Sequence, residues 1–257
     1  MNRTETLAKK IADVLRSVFG KPIKSQHTTA IIVAGGSSSR MGDGVSKQLL
    51  TLHDIPVVVH TLLAFEKAES VDEIIVAAKK EELLFYDAFA KEFHITKFKT
   101  AIEGGETRQQ SVKNAFSAIS DKTEFVSIHD GARCLITSEE IDRVNRAAYA
   151  SGAAAAAIRA EETVKSEKSG LIDKTLDRDH VWLARTPQVF GVNIYRAALA
   201  IAERDGITVT DDCALVEHIE YRIRLVECSK NNIKITTEED IPLATAILAM
   251  RKTEDMP

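Results

Sequence analysis

Short apolar runs rich in β-branched residues alternate with amphipathic runs along most of this chain. The apolar runs fall at 29–34, 72–78, 97–102 and 125–129, with a small-residue run at 153–158. Between them, apolar positions recur at helical spacing over about 56–68, 80–92, 107–119 and 138–150. Helical patterns resume at about 193–204, 211–219 and 238–250, and strand-like runs at 222–228 and 232–236 separate the last two. Short continuous apolar strands alternating with helices predict an α/β, Rossmann-like fold: a mostly parallel twisted sheet with helices on both faces.

Two segments depart from this alternation. In residues 1–28, Leu7, Ile11, Val14, Leu15, Val18 and Phe19 recur at helical spacing, and Gly20-Lys21-Pro22 stops the pattern. This predicts an amphipathic helical extension whose polar positions are mainly basic. Glu5 and Asp13 count against an organelle transit peptide, which avoids acidic residues, and favour a packed or partner-binding helix. Around 160–178, two alternating stretches flank Ser169-Gly170, the pattern of a β-hairpin. It interrupts the α/β order and is expected to project as an arm.

Composition narrows the function classes. At 257 residues, with 44% hydrophobic and 28% charged residues, the chain can build a globular core without disulfides. A net charge of −4 and 5% aromatic content disfavour a nucleic-acid surface. Any anionic ligand must therefore be met by local cations. Cys134, Cys213 and Cys228 form no C-x-x-C pair, so a zinc site is not expected and a reducing, cytoplasmic setting fits. No apolar run is long enough to suggest a membrane span.

Ligands of open α/β sheets collect at the carboxyl ends of the strands. The loops after residues 34, 102 and 129 are thus the places to look. The first reads Ala34-Gly35-Gly36-Ser37-Ser38-Ser39-Arg40-Met41-Gly42, with Lys47 beyond it. It matches neither the P-loop nor the dinucleotide-binding spacing. Two glycines, consecutive backbone N–H groups and the cations Arg40 and Lys47 nevertheless suit a phosphate cradle. The plain alternative is a surface turn carrying two solvated cations. The second loop, Gly104-Gly105-Glu106-Thr107-Arg108, opens a helix, where free N–H groups bind anions or accept a side-chain cap from Thr107 or Glu106. The third, His129-Asp130-Gly131-Ala132-Arg133, ends a strand with an acid. Such an aspartate is either an ordinary turn residue or a Mg²⁺ ligand beside phosphate oxygens. His129 is expected to be a structural hydrogen-bonding partner.

These motifs resemble the sugar-phosphate nucleotidyltransferase family, and Lys47-Gln48-Leu49 with Pro56-Val57 resembles its cytidylyltransferase branch. The resemblance spans about residues 29–248 and implies a nucleotidyltransferase fold. It implies transfer of CMP from CTP to 2-C-methyl-D-erythritol 4-phosphate, with release of pyrophosphate and Mg²⁺ as cofactor. Catalytic roles would fall to Arg40, Lys47 and Lys234. CTP would be bound by Ala34, Gly35, Gly36, Gly105, Arg108, Ser111 and Asp130, with Asp130 also holding the metal. The acceptor would meet Arg133, Thr163, Arg178, Thr186 and Thr210, and the arm would cross to the partner of a homodimer. Thr210 also reads as an N-cap for the helix that follows. Cys134 and Arg185 stand where proline and glutamine are common in that family. Ribitol 5-phosphate is an alternative acceptor, and a non-catalytic nucleotide-binding protein is an alternative from another class.

Overall fold

The computed structural model describes residues 26–36, 46 and 48–254, so the helix expected in 1–28 lies largely outside the described residues, as do Arg40 and Lys47. The strands are β1 (Thr28–Val33), β2 (Thr51–Leu52), β3 (Ile55–Pro56), β4 (Glu73–Ala78), β5 (Phe98–Glu103), β6 (Phe125–Asp130), β7 (Ala153–Arg159), β8 (Lys165–Lys168), β9 (Leu171–Thr175), β10 (Trp182–Gly191) and β11 (Arg224–Glu227). The helices are α1 (Val57–Lys67), α2 (Leu83–Glu92), α3 (Arg108–Phe116), α4 (Ser138–Ser151), α5 (Val192–Asp205), α6 (Asp212–His218) and α7 (Asp240–Glu254).

Seven strands form one sheet in the order β11-β7-β10-β6-β1-β4-β5. The pairings are parallel except for those of β10, which runs antiparallel to both β6 and β7. Successive residues of β1 explain its continuous apolar run. Ile31 packs with Val112, Phe190 and Tyr195 on one face. Ile32 packs with Val58, Leu62 and Phe65 on the other. Both faces are covered, which favours apolar residues at successive positions 30–33, while the hydroxyls of buried Thr28 and Thr29 are hydrogen-bonded to Tyr149 and Thr123. The alanine run of β7 lies fully buried between β10 and β11. Gly152 ends α4 with φ of 82°, and a Cβ there would lie 2.2 Å from the Tyr221 hydroxyl.

The expected arm is present. β8 and β9 pair antiparallel as a separate two-stranded sheet, and Ser169 and Gly170 both take positive φ at the turn. Leu171 and Ile172 on the arm are 73% and 70% exposed.

One strand has no counterpart in the sequence reading, and two local expectations need correction. β10 is a ten-residue strand that proline hid, because Pro187 has no N–H for the ladder. A register shift between Ala184 and Gln188 accommodates it. The run 232–236 is a loop, not a strand. Its alternation arises because Ile233 and Ile235 pack against the cluster containing Leu52, Val57 and Leu135. The cap of α6 is Asp211, not Thr210; its carboxylate accepts the Ala214 N–H at 3.1 Å, while Thr210 is exposed.

Candidate active site

A cavity of about 300 Å³ opens at the carboxyl ends of β1 and β6. Gly35, Gly36, Gly105, Ser111, Asp130 and Lys234 are among the residues that line it. The backbone holds its walls close. Ala34 N–H donates to Ala77 O at 2.7 Å, Gly104 N–H to Ala78 O at 2.8 Å and Gly131 N–H to Val33 O at 2.9 Å. At the second loop, Thr107 caps α3 by accepting the Gln110 N–H. Ser111 Oγ accepts the Gly105 N–H at 3.0 Å and donates to Thr107 O at 2.9 Å. Gly105 has no room for a side chain, because a Cβ would lie 2.1 Å from Gln110 Cγ.

Asp130 is the charge centre. Its Oδ1 accepts from Arg108 Nε at 3.0 Å and its Oδ2 from Lys234 Nζ at 2.9 Å. Arg133 Nε lies 3.6 Å from Oδ2, beyond a hydrogen bond. Burial alone would raise the Asp130 carboxyl, but Arg108 and Lys234 hold it well below the usual carboxylate range. Arg133 is buried, and this desolvation lowers its guanidinium to about 10 despite the nearby carboxylate. Its Nη1 donates to Asn232 O at 3.1 Å.

Arg108 also donates through Nη1 to Asp212 Oδ2 at 2.6 Å. Burial opposes its charge, yet Asp212 and Asp130 raise it above the ordinary arginine value. Asp212 in turn accepts the Tyr195 hydroxyl at 2.6 Å on Oδ1. Its own N–H donates to Gln188 Oε1 at 2.9 Å. Nη2 of Arg108 is buried and, among the described residues, donates to no atom.

Beneath Asp130, His129 is fully buried between Thr186 and Arg133. Arg133 O, 3.2 Å from Nε2, can only accept, so Nε2 carries the proton. Nδ1 then accepts from the Thr186 hydroxyl at 3.0 Å, and Thr186 Oγ1 accepts the Asp130 N–H at 3.1 Å. Burial pushes the imidazole down to about 3. His129 is therefore a neutral strut, as its sequence context suggested.

Gly35, Gly36, Gly105, Arg108, Ser111, Asp130 and Lys234 thus meet at one cavity, while Ala34 and Arg133 are buried beside it. Thr186 lies underneath, its hydroxyl engaged by His129 and Asp130. Thr163 and Arg178 are not brought there. Arg178 Nη1 donates to Glu161 O at 2.9 Å at the foot of the arm and faces a separate concavity of about 420 Å³. Sequence reasoning missed Asp212, Tyr195, Gln188 and Asn232. The acidic pair Asp211-Asp212 was the available signal, but it also reads as an ordinary helix start.

Among the described residues, no group of three or more His, Cys, Asp or Glu side chains could hold a metal ion. Among the described residues, Asp130 and Glu106 are the carboxylates at the cavity. That set suits Mg²⁺, which is commonly held by one or two carboxylates together with substrate phosphates and water.

Residues 28–250 match the family model described as 2-C-methyl-D-erythritol 4-phosphate cytidylyltransferase. A protein of that name from Syntrophus aciditrophicus is 42% identical over 221 residues, covering 85% of this chain and 94% of its own. Another, from Geotalea uraniireducens, is 38% identical over 231 residues, covering 89% and 99%. The crystal structure of 4-diphosphocytidyl-2C-methyl-D-erythritol synthase from Anaerococcus prevotii superposes with a TM-score of 0.79 at 27% identity, covering 88% of this chain and 98% of its own. The 2-C-methyl-D-erythritol 4-phosphate cytidylyltransferase structure from Francisella tularensis gives 0.72 at 31% identity, with 86% and 99% covered.

Proposed function

The chain belongs to the 2-C-methyl-D-erythritol 4-phosphate cytidylyltransferase family, and we propose that its strand-end cavity binds CTP while the cations around Asp130 promote the transfer. The enzyme transfers CMP from CTP to 2-C-methyl-D-erythritol 4-phosphate and releases pyrophosphate, a step of isoprenoid precursor synthesis. The observation that carries the reading of the cavity is the convergence of Arg108, Lys234 and Arg133 on one buried carboxylate beside two glycine loops.

The chemistry asks for charge and alignment. An oxygen of the acceptor phosphate attacks the α-phosphorus of CTP and forms a P–O bond. The bond from that phosphorus to the bridging oxygen breaks, and its electrons leave on pyrophosphate. The nucleophile is already anionic, so no strong general base is required. Backbone N–H groups at Gly35 and Gly36 would meet the triphosphate, helped by Arg40 and Lys47, which follow them in the sequence. Arg108 and the Gly105–Ser111 loop would hold the cytosine and ribose end. Lys234 and Arg133 would face the acceptor phosphate and the charge that builds during substitution. Mg²⁺, when bound, supplies further neutralisation of phosphate oxygens, and Asp130 would hold it. Arg108 and Lys234 each donate one hydrogen bond to its two oxygens, which leaves each oxygen a further lone pair for the ion.

The acceptor end would be completed by a second copy of the chain in a homodimer. Arg178 lies at a separate concavity in its own chain, and the arm carries exposed Leu171 and Ile172 on a hairpin that pairs only with itself in the sheet order. An isolated hairpin is marginally stable in water, so packing on a partner suits it. Thr163 and Arg178, at the feet of the arm, would then reach the partner's acceptor, while Thr186 and Thr210 would serve their own. The cytoplasm is the expected setting, consistent with three buried free cysteines.

Pyrophosphate release, measured with CTP and each acceptor separately, tests this reading. Release with methylerythritol phosphate and little with ribitol 5-phosphate is expected. A preference for ribitol 5-phosphate would reassign the acceptor. Folded protein that releases pyrophosphate with neither would leave a binding protein in place of an enzyme.

A further inference from the structure

Two carboxylates hold Arg108, and they differ in freedom. Asp130 is shared, because Lys234 takes its second oxygen and it lines the cavity. Asp212 does not line that cavity. Its side chain is 1% exposed, and each oxygen has one donor: Arg108 Nη1 on Oδ2 and the Tyr195 hydroxyl on Oδ1, both at 2.6 Å. Gln188 Oε1 accepts the N–H groups of Asp212 and Cys213 at 2.9 and 3.1 Å, which pins the start of α6 to β10. Gln188 Nε2 donates to Asp211 Oδ2 at 2.7 Å, which fixes the amide's orientation. Tyr195 is itself fully buried and stacked on Phe190. Asp212 is thus an immobile acceptor set behind a guanidinium that reaches the cavity.

We infer that Asp212 is a positioning residue of the nucleotide site: braced by Tyr195 and Gln188, it keeps Arg108 in place when ligand draws on Asp130. This rests on the reading of the cavity as the CTP site. A cation drawn to Asp130 would weaken that carboxylate's hold on Arg108, so an arginine anchored there alone would lose part of its anchor. The second anchor separates the two demands. It also leaves Arg108 with a donor, Nη2, that no atom of the described residues accepts. The T-D-D sequence at residues 210–212 then has two functions on adjacent residues: Asp211 caps the helix and Asp212 reaches back across 104 residues to Arg108.

The test is a double-mutant cycle on CTP affinity, measured by calorimetry without acceptor, together with steady-state constants. Asp212→Asn keeps the shape and removes the charge. It should weaken CTP binding about tenfold or more, the expected scale for losing a buried charge-assisted contact. The acceptor KM should stay unchanged, and kcat should change less than the CTP KM. Tyr195→Phe, which removes only the brace, should shift CTP affinity in the same direction by a smaller factor. In an Arg108→Ala background, Asp212→Asn should add nothing. Equal tenfold losses in both backgrounds would show that Asp212 acts on the fold at large, overturning the inference. So would a folded Asp212→Asn enzyme with unaltered CTP affinity while Arg108→Ala is impaired; the CTP reading would survive that result. Unaltered affinity in Arg108→Ala would overturn both. If Asp212→Asn does not fold, the same cycle run with Tyr195→Phe decides, because coupling to Arg108 is still required.

Discussion

Lys234 Nζ lies 2.9 Å from Asp130 Oδ2, although 104 residues separate them. Asp130 ends β6, whose register against β1 sets it beside Val33 at the cavity. Lys234 arrives on the loop after β11, held by the Ile235 N–H donating to Ala132 O at 2.9 Å. The pair is asymmetric: the carboxylate side chain is 10% exposed and the lysine 35%. The acid is therefore fixed and the ammonium is the part that can turn toward a phosphate.

Lys234→Ala should lower turnover by roughly two orders of magnitude, the scale for losing one preorganised stabilising donor. Stability should fall only moderately, because the buried Asp130 carboxylate keeps its hydrogen bond from Arg108 when Lys234 is removed. Pyrophosphate release and a thermal melt on the same preparation check both parts. Near-normal turnover in a folded variant would remove Lys234 from the mechanism.

Arg40→Ala and Lys47→Ala should each lower turnover by about two to three orders of magnitude, on the same reasoning. The expectation comes from their place in the sequence after Gly35-Gly36. Single-turnover measurements at saturating CTP check it; rates unchanged in either variant would reduce that cation to a solvated surface charge.

Arg178→Ala should raise the acceptor KM far more than the CTP KM. If the arm serves a partner's cavity, mixing Arg178→Ala chains with Lys234→Ala chains should restore activity that neither has alone, because one of the two cavities then receives both intact residues. Failure of mixed dimers to recover activity, with subunit exchange demonstrated, would place Arg178 in its own chain's site.

Acid should destabilise the fold through His129. Its ordinary value is 6.5 and burial holds it at about 3. Between those values the unfolded chain binds a proton that the folded chain does not. The stabilisation is fully present above about pH 6.5 and is lost as the pH falls toward 3, by up to about 1.4 kcal/mol per unit. Asp130, held below the carboxylate range, adds its own loss below about pH 4. Urea midpoints at pH 5 and 6.5 should converge in His129→Asn relative to the parent. An unchanged slope would show that another group sets the acid limb.

Much of the architecture was legible because both faces of the sheet are buried. A strand in that setting is mostly apolar on both faces, as Ile31 and Ile32 show by entering opposite cores. The arm was legible because Ser169-Gly170 supplies two residues suited to positive φ between alternating stretches. β10 was not, because Pro187 and the polar Arg185-Thr186 break the apolar signal at the register shift. Ile233 and Ile235 misled in the opposite direction: their alternation reflects packing on a side cluster, not pairing with a strand.

By itself the sequence determined most of the order of strands and helices, the glycine loops at the strand ends and the types of charge that gather there. These follow from periodicity and turn chemistry, which act over a few residues. Tertiary structure decided which charges meet. That Arg108 divides itself between Asp130 and Asp212, that Lys234 takes the other oxygen of Asp130, and that Thr186 turns inward to His129 depend on how distant strands and loops dock. Local patterns carry no record of such pairings, because a buried carboxylate is satisfied by whatever donor the packing of remote segments delivers to it.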